Sequence, residues 1–144
     1  MSCYAAVVPS NKVQSVLPVY LELCGIQDGV PGDELHTTLL YDEDPSHDLF
    51  EPERDRVYHA SVTRVGVLGD ALVLFLETQD LLTRFDEVLS MGYTHSFPSL
   101  LPHITIKYNP SEEDIRVAKS REDGFKEVCD GLFLTGEYTE RLQG

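Results

Sequence analysis

The chain has 144 residues, 42% of them apolar and 25% charged, a composition typical of one globular domain rather than of a disordered or fibrous protein. No apolar run approaches the about 20 residues that cross a bilayer, and the N-terminus lacks a cationic start followed by an apolar stretch. We therefore expect neither a membrane span nor a secretory signal. The formal net charge of −14 argues against a non-specific binder of long DNA or RNA, because such proteins neutralise phosphates with cations.

The cysteines Cys3, Cys24 and Cys129 are widely spaced and form no CxxC pair. This spacing predicts neither a disulfide framework nor a thiolate metal site, and it agrees with a reducing compartment. We expect each cysteine to pack as a small buried hydrophobe.

The first elements are a strand and a helix. Residues 3–8 form a mostly apolar segment closed by a proline, which is typical of a short strand. Ser10 is placed to cap a helix in which apolar residues recur at helical spacing, and Gly25 is placed to end it. Pro18 lies inside this segment, so we expect the helix to kink or restart there.

The next segments alternate between loops and strands. Residues 26–33 carry two glycines and a proline and predict a loop, whereas residues 35–41 have the threonine and aliphatic content of a strand. The acidic stretch 42–54 is expected to be an exposed loop. Residues 57–68 alternate like a half-buried strand and lead through a Gly-Asp turn into the apolar strand 71–77, so we predict a hairpin.

The second half continues with a helix over 81–91 and a proline-bearing loop over 94–102. Residues 103–108 alternate like a strand, and Ser111, followed by three acidic residues, marks a helix start. The tail ends in a strand-like segment. No linker or change of composition divides the chain, so we predict one domain over residues 1–144, with mixed α and β structure and mainly antiparallel strands.

One short pattern occurs twice. Residues 36–41 read His-Thr-Thr-Leu-Leu-Tyr and residues 103–108 read His-Ile-Thr-Ile-Lys-Tyr, so both fit His-x-Thr-aliphatic-x-Tyr. Alternate residues of a strand share a face, so each copy places an imidazole beside a hydroxyl. The two pairs are His36 with Thr38 and His103 with Thr105.

The repetition is what makes the pattern informative. One strand histidine followed by threonine is ordinarily a locally hydrogen-bonded residue with a strand-forming neighbour. Two copies that also match at the aliphatic and tyrosine positions make that explanation much less favoured. The remaining histidines, His47, His59 and His95, lack the full pattern and are treated as background.

Two imidazoles and two hydroxyls suit phosphodiester cleavage. A neutral imidazole can take a proton from the attacking oxygen while an imidazolium gives one to the leaving oxygen. The unperturbed histidine pKa near ~6.5 allows both forms near neutral pH, and threonine hydroxyls can donate to the non-bridging phosphate oxygens. Two histidines without a third ligand at fixed spacing do not define a zinc site, so we expect no metal and no cofactor.

The paired His-x-Thr motifs in a short α/β chain resemble the 2H phosphoesterase superfamily. Within it, the small acidic chain, the early Tyr4 and the terminal Glu-bearing strand are most similar to phage anti-CBASS phosphodiesterases, which degrade the cyclic oligonucleotide signals of bacterial immunity. The resemblance implies an α+β, two-lobed and pseudo-symmetric fold, in which antiparallel sheets line a central cleft and helices lie outside.

The resemblance also implies residue roles. His36 and His103 match the catalytic histidines, and Thr38 and Thr105 match the phosphate-contacting threonines. Tyr4 resembles a first-strand tyrosine that lines the ligand site, with a core or edge aromatic as the alternative.

Further ligand contacts are expected on the same basis. The family pattern includes an acidic residue near the C-terminus, which Glu137 or Glu140 could supply. We favour Glu137 because it follows a glycine in the last strand; the alternative is an exposed carboxylate in a salt bridge. Lys107 falls on the strand face of the second motif's histidine and is a candidate phosphate contact, with a solvated lysine as the alternative. Tyr41 and Tyr108 fall on the opposite face, so we expect them to pack in the core.

These observations predict a metal-independent phosphodiesterase that opens cyclic di- or trinucleotides. The substrate 2′-OH would attack the adjacent 3′–5′ phosphodiester, with the two histidines as base and acid. Two alternatives stay open: a 2′,3′-cyclic phosphodiesterase acting on RNA ends or small nucleotides, and a non-catalytic sponge for cyclic nucleotides. We expect no long nucleic acid or membrane as a partner, and a cytoplasmic location, in the host bacterium if a phage encodes the chain. Base preference, ring size and oligomeric state stay open.

Overall fold

A computed structural model describes residues 2–142 of the chain, so the ends of the predicted domain 1–144 lie outside the described residues. In this part the fold is α+β, as predicted. The elements in chain order are β1 (Cys3–Pro9), α1 (Asn11–Leu23), a 3₁₀ turn (Gly32–Glu34), β2 (Thr37–Asp42), β3 (Tyr58–His59), β4 (Ser61–Leu68), β5 (Ala71–Glu77), α2 (Gln79–Ser90), β6 (His103–Tyr108), α3 (Glu112–Ser120), α4 (Glu122–Val128) and β7 (Phe133–Glu140).

The strands form two antiparallel sheets. The first sheet has the order β2-β1-β7-β3, and the second has the order β4-β5-β6. The strand predicted over 57–68 is therefore wrong as a single element, because the chain leaves one sheet and enters the other at Ala60. β3 pairs with the last strand, and the Ala60 N–H donates to the Leu132 carbonyl at 3.1 Å, whereas β4 pairs with β5.

Several local predictions are confirmed. Ser10 occupies the N-cap position of α1. The restart expected at Pro18 is wrong, because α1 is one helix from Asn11 to Leu23 with the proline inside it. The hairpin of β4 and β5 turns at Gly69, whose φ of +60° is a conformation that glycine adopts without strain. Ser111 and Asp114 form a capping box at the start of α3.

Helix α4 was not predicted. It spans only seven residues, too few to show a helical period, and contains Gly124. A Cβ at Gly124 would come within 1.7 Å of the Tyr20 hydroxyl, so the glycine allows α4 to approach α1. The Tyr20 ring in turn meets the buried Phe125 ring edge-on, at 4.9 Å between centroids.

The core lies between the sheets and the helices that cover them. The side chains of the first strand, Cys3, Ala5, Ala6 and Val7, are fully buried. Helices α3 and α4 contact β4, and α2 contacts β2 and β3. None of the described helices is long and apolar enough to cross a membrane.

The two sheets adjoin through their outer strands, β2 of the first and β6 of the second. The segment before β2 also reaches across, because the Val30 N–H donates to the Ile106 carbonyl at 2.8 Å. The strands that carry the repeated pattern therefore lie side by side, although they are far apart in sequence.

Candidate active site

The two motif histidines occupy equivalent places. His36 directly precedes β2 and His103 begins β6. His36 Nδ1 lies 2.9 Å from the Glu34 carbonyl, and His103 Nδ1 lies 2.7 Å from the Leu101 carbonyl, in both cases two residues earlier in the chain. A carbonyl only accepts, so Nδ1 carries the proton in both rings. Each Nε2 is then left to accept a proton in the neutral ring or to donate one in the imidazolium.

Both motif strands carry a β-bulge at the same position of the pattern. The extra residue is Leu39 in β2 and Ile106 in β6, each the aliphatic residue three places after the histidine, and both are fully buried. A bulged residue adds one position to a strand and shifts the alternation of the residues after it. The repeat therefore extends from the sequence to the backbone.

The bulge corrects the prediction for Tyr41 and Tyr108. Simple alternation places these tyrosines opposite their histidines and in the core, but the extra residue turns them to the histidine side. Tyr108 is 55% exposed and lines a cavity of about 360 Å³ together with His36. Tyr41 is half-buried and lines a second cavity, of about 500 Å³, together with His103.

Each cavity thus joins the two motifs, because it combines the tyrosine of one copy with the histidine of the other. Thr38 also lines the larger cavity. Thr105 is half-buried on β6, two residues after His103 and before the bulge. The four residues predicted to be catalytic therefore lie on the adjoining strands of the two sheets, on either side of one boundary.

The same bulge corrects the prediction for Lys107. This residue follows the bulged position, so it no longer shares the face of His103. Its ammonium lies 2.7 Å from the Asp114 carboxylate at the start of α3, and its side chain is only 14% exposed. The hydrogen bond from Lys107 holds the pKa of Asp114 below its usual value. The lysine is therefore bound within the protein rather than available to a phosphate.

Tyr4 lies against the first motif. Its hydroxyl is 2.9 Å from Thr38 Oγ1, and its ring meets the His36 ring edge-on at 6.5 Å between centroids. Burial raises the pKa of Tyr4 to about 12, although the hydrogen bond with Thr38 acts in the opposite direction. The hydroxyl is thus neutral at neutral pH and can donate a hydrogen bond. Its predicted role in ligand binding stays a prediction.

The favoured acidic residue, Glu137, lies elsewhere. Its side chain is fully buried, pairs with Arg84 at 2.8 Å and accepts a hydrogen bond from the Tyr58 hydroxyl at 2.7 Å. A carboxylate with these partners is occupied in the core, so the prediction that Glu137 contacts a ligand is wrong. Glu140, the other acidic residue considered near the C-terminus, is exposed and lies directly opposite Tyr4 in the pairing of β1 with β7.

Sequence reasoning missed the loop between α2 and β6. His95, treated as background, lines the larger cavity, and its Nδ1 accepts a hydrogen bond from the Tyr41 N–H at 3.1 Å. Phe97 of the same loop also lines this cavity. Nothing in the local pattern signals this role, since it depends on where the loop meets β2.

No group of three or more His, Cys, Asp or Glu side chains among residues 2–142 is arranged to hold a metal ion. The cysteines in this range are free, with Cys3 and Cys129 buried as predicted and Cys24 half-buried.

Fold and site together define an α+β protein with an internally repeated His-x-Thr site on two adjoining antiparallel sheets. The chain matches the family described as anti-CBASS protein Acb1 over residues 1–143, and it belongs to that family.

Relatives that carry this family name come from phages and a bacterium. The chain is 31% identical to the anti-CBASS protein Acb1 of Escherichia phage RB16 over 103 residues, covering 68% of this chain and 58% of the relative. It is 30% identical to that of Sphingomonas paeninsulae over 131 residues, covering 78% of this chain and 21% of the relative. The protein of Acinetobacter phage Ac42 is 25% identical over 143 residues, covering 96% and 89%. The matched region thus spans less than two thirds of the first two relatives.

Proposed function

We propose that this protein counteracts CBASS immunity, as its family name describes, by cleaving the 3′–5′ bonds of cyclic di- or trinucleotide signals without a metal ion. The observation that carries this proposal is the matched pair of imidazoles. His36 and His103 are held by the same hydrogen bond from Nδ1 to a backbone carbonyl, so both can exchange protons at Nε2. The proposal includes membership of the 2H phosphoesterase superfamily and its two-lobed fold.

The first step is an internal transfer. The Nε2 of one neutral histidine takes the proton of the substrate 2′-OH, and the oxygen forms a bond to the adjacent phosphorus. The bond from phosphorus to the 5′-oxygen breaks, and the imidazolium of the other histidine protonates that oxygen. The ring opens and leaves a 2′,3′-cyclic phosphate. Water can then open this phosphate to a 3′-phosphate, with the two histidines in reversed roles.

The hydroxyls of Thr38 and Thr105 stabilise the phosphorane-like transition state, because they donate to the non-bridging oxygens where negative charge is held. Tyr4 assists the first of them. When the neutral Tyr4 hydroxyl donates to Thr38 Oγ1, the threonine proton is free to point at the phosphate.

Turnover of a panel of cyclic di- and trinucleotides in EDTA, with products read by mass, tests this function. We expect linear products from the unmodified protein. His36→Ala and His103→Ala should each lower kcat by about 10²–10⁴-fold, the usual contribution of a general acid or base. His59→Ala is the matched control, because His59 is an exposed strand histidine outside the motifs.

Three results would contradict the proposal. Strict dependence on a metal ion would contradict a mechanism that uses the two histidines alone. Normal turnover of a 2′-deoxy substrate would show that water, and not the 2′-OH, is the nucleophile. Recovery of unchanged cyclic nucleotide from the denatured complex would indicate a sponge. Faster turnover of 2′,3′-cyclic phosphates on linear RNA ends would favour the second phosphodiesterase activity over the first.

A further inference from the structure

The cavity of about 500 Å³ beside His103 differs in chemistry from the cavity at the other end of the paired motifs. Its walls come from the end of β2, the turn of the β4–β5 hairpin and the loop 95–101, and they are mainly apolar and aromatic. The smaller cavity beside His36 is lined by the acidic residues Asp28 and Glu34 together with residues 29–31 and Tyr108. Of these two cavities, the one beside His103 therefore offers the wider apolar surface next to the motif residues.

Phe97 is the most exposed aromatic ring of this wall. Its side chain is 55% exposed, and its ring lies 5.3 Å from the Tyr41 ring at an interplanar angle of 46°. Leu101, at the end of the same loop, is 52% exposed. Solvent-exposed apolar side chains that line a cavity beside polar residues are typical of a ligand-binding surface. Flat rings at such a surface suit a flat partner.

His95 holds the loop that carries Phe97. Its Nδ1 accepts the Tyr41 N–H at 3.1 Å, and the Ser96 N–H donates to the Tyr41 carbonyl at 2.8 Å, so the loop pairs with the free edge of β2. Because Nδ1 accepts, a neutral ring carries its proton on Nε2. Burial holds the pKa of His95 below its usual value, while a hydrogen bond with the Ser99 backbone acts in the opposite direction.

The His95 ring is also fixed by packing. It meets Phe85 of α2 edge-on at 5.1 Å and Phe97 edge-on at 5.8 Å between centroids. The histidine therefore links the first motif strand, helix α2 and the exposed phenylalanine. Its Nδ1 is engaged by the Tyr41 N–H and its ring is packed between two phenylalanines, so we expect it to act through the loop rather than on a ligand.

We propose, resting on the function proposed above, that this cavity is the subsite for one nucleobase of the cyclic oligonucleotide, with Phe97 as the stacking surface and His95 as its positioning residue. The motif residues Thr38 and His103 line the same cavity, so a base placed there is attached to a sugar within reach of the phosphate site. Because the wall is apolar, selection depends on stacking area rather than on hydrogen bonds. A purine is therefore preferred to a pyrimidine, because its two fused rings present a larger face to Phe97.

Steady-state kinetics with cyclic di-AMP and cyclic di-UMP test the subsite. We expect Phe97→Ala to raise KM for cyclic di-AMP roughly tenfold with little change in kcat, since base stacking on an aromatic ring contributes a factor of this order. Phe97→Trp should restore or lower KM. The matched control is Phe133→Ala, which removes another partly exposed phenylalanine from β7, far along the chain from the loop.

A double-mutant cycle tests His95. We expect His95→Ala to raise KM as Phe97→Ala does, and the double variant to be no worse than either single variant, because the histidine acts through the phenylalanine. Because Phe97 is exposed, we expect the Phe97→Ala variant to be as thermally stable as the unmodified protein, so that its higher KM is not caused by unfolding. Additive effects, or an effect of His95→Ala on kcat alone, would contradict the positioning role.

The outcomes also separate this subsite from the proposed function. Cleavage of cyclic di-AMP with a KM that Phe97→Ala leaves unchanged, or equal KM values for the purine and pyrimidine rings, would overturn the subsite and leave the phosphodiesterase standing. Calorimetric binding of cyclic di-AMP that depends on Phe97 but is followed by no cleavage would support the subsite and overturn the phosphodiesterase. Absence of both binding and cleavage would overturn the two together.

Discussion

The two copies of the His-x-Thr motif share a backbone but differ in what supports them. Both have a bulge at the aliphatic position and a histidine held through Nδ1 by the carbonyl two residues before. In the first copy, Thr38 of β2 is hydrogen-bonded to Tyr4 of the neighbouring strand β1. In the second copy, the supporting contact comes from a helix, because Lys107 near the end of β6 forms an ion pair with Asp114 of α3. The two copies thus have the same histidine and backbone geometry, while each half supplies its own supporting contacts.

The ion pairs of the two halves differ in the same way. The pair that joins the first sheet to α2, Glu137 with Arg84, is almost fully buried, with side-chain exposures of 0% and 6%. The pair that joins the second sheet to α3, Lys107 with Asp114, is 14% and 13% exposed. A buried charge left without its partner costs far more than one that water can reach, so the two pairs should respond differently to substitution.

The largest expected effect is on stability. Glu137→Ala leaves the Arg84 charge buried without its main partner, and we expect it to lower the free energy of unfolding by about 3–5 kcal/mol. Urea unfolding measures this change. Glu140→Ala on the same strand is the control, because an exposed residue should change stability by no more than about 0.5 kcal/mol. A similar loss in both variants would contradict the assignment of Glu137 to the core.

The buried pair also predicts a pH dependence. Burial by itself would raise the pKa of Glu137, but the hydrogen bonds from Arg84 and Tyr58 outweigh it and hold the pKa below the ordinary value of 4.5. A carboxyl whose pKa is lower in the folded state stabilises the fold above its unfolded pKa and loses that contribution as the pH falls through the folded value. Unfolding measured between pH 7 and pH 3 should show this loss, and the decline should be smaller in Glu137→Ala, because other carboxyls with lowered pKa values, such as Asp42 and Asp114, keep their own contributions.

A smaller effect distinguishes the two motifs. Tyr4→Phe removes the hydrogen bond to Thr38, and we expect a two- to tenfold decrease in kcat, which corresponds to about 0.5–1.5 kcal/mol. This decrease should vanish when Thr38 is already valine and persist when Thr105 is valine, because Tyr4 supports only the first copy. Turnover of a cyclic dinucleotide by the single and double variants gives the comparison. Equal coupling of Tyr4 to both threonines would show that the copies are not supported separately.

The smallest effect concerns Lys107. Lys107→Met should lower the free energy of unfolding by about 1 kcal/mol or less, since its ion pair is partly reached by solvent. We expect KM for cyclic nucleotides to stay within twofold, because the ammonium is engaged by Asp114. A large increase in KM would contradict this expectation and support the original prediction that Lys107 contacts a phosphate.

Much of the fold was predictable because its signals are local. The β4–β5 hairpin follows from a turn between two apolar runs, and the start of α3 follows from Ser111 and the acidic residues after it. The four motif residues were found because the same pattern occurs twice. Helix α4 and the break at Ala60 were missed, since the first is too short to show a period and the second depends on which strand each segment pairs with.

Local sequence is enough to specify two imidazoles, each two residues before a threonine, and the strands that present them. Which other side chains lie beside these groups depends on how the strands pair and how the helices pack. A bulge exists only in the register between two strands, and it is the bulges that bring Tyr41 and Tyr108 to the histidine side and turn Lys107 away from it. In the same way, Glu137 is a core residue because Arg84 of a distant helix meets it there. Short-range patterns specify residues and periodicity, whereas the face and the partner of a side chain depend on contacts between segments that are far apart in the chain.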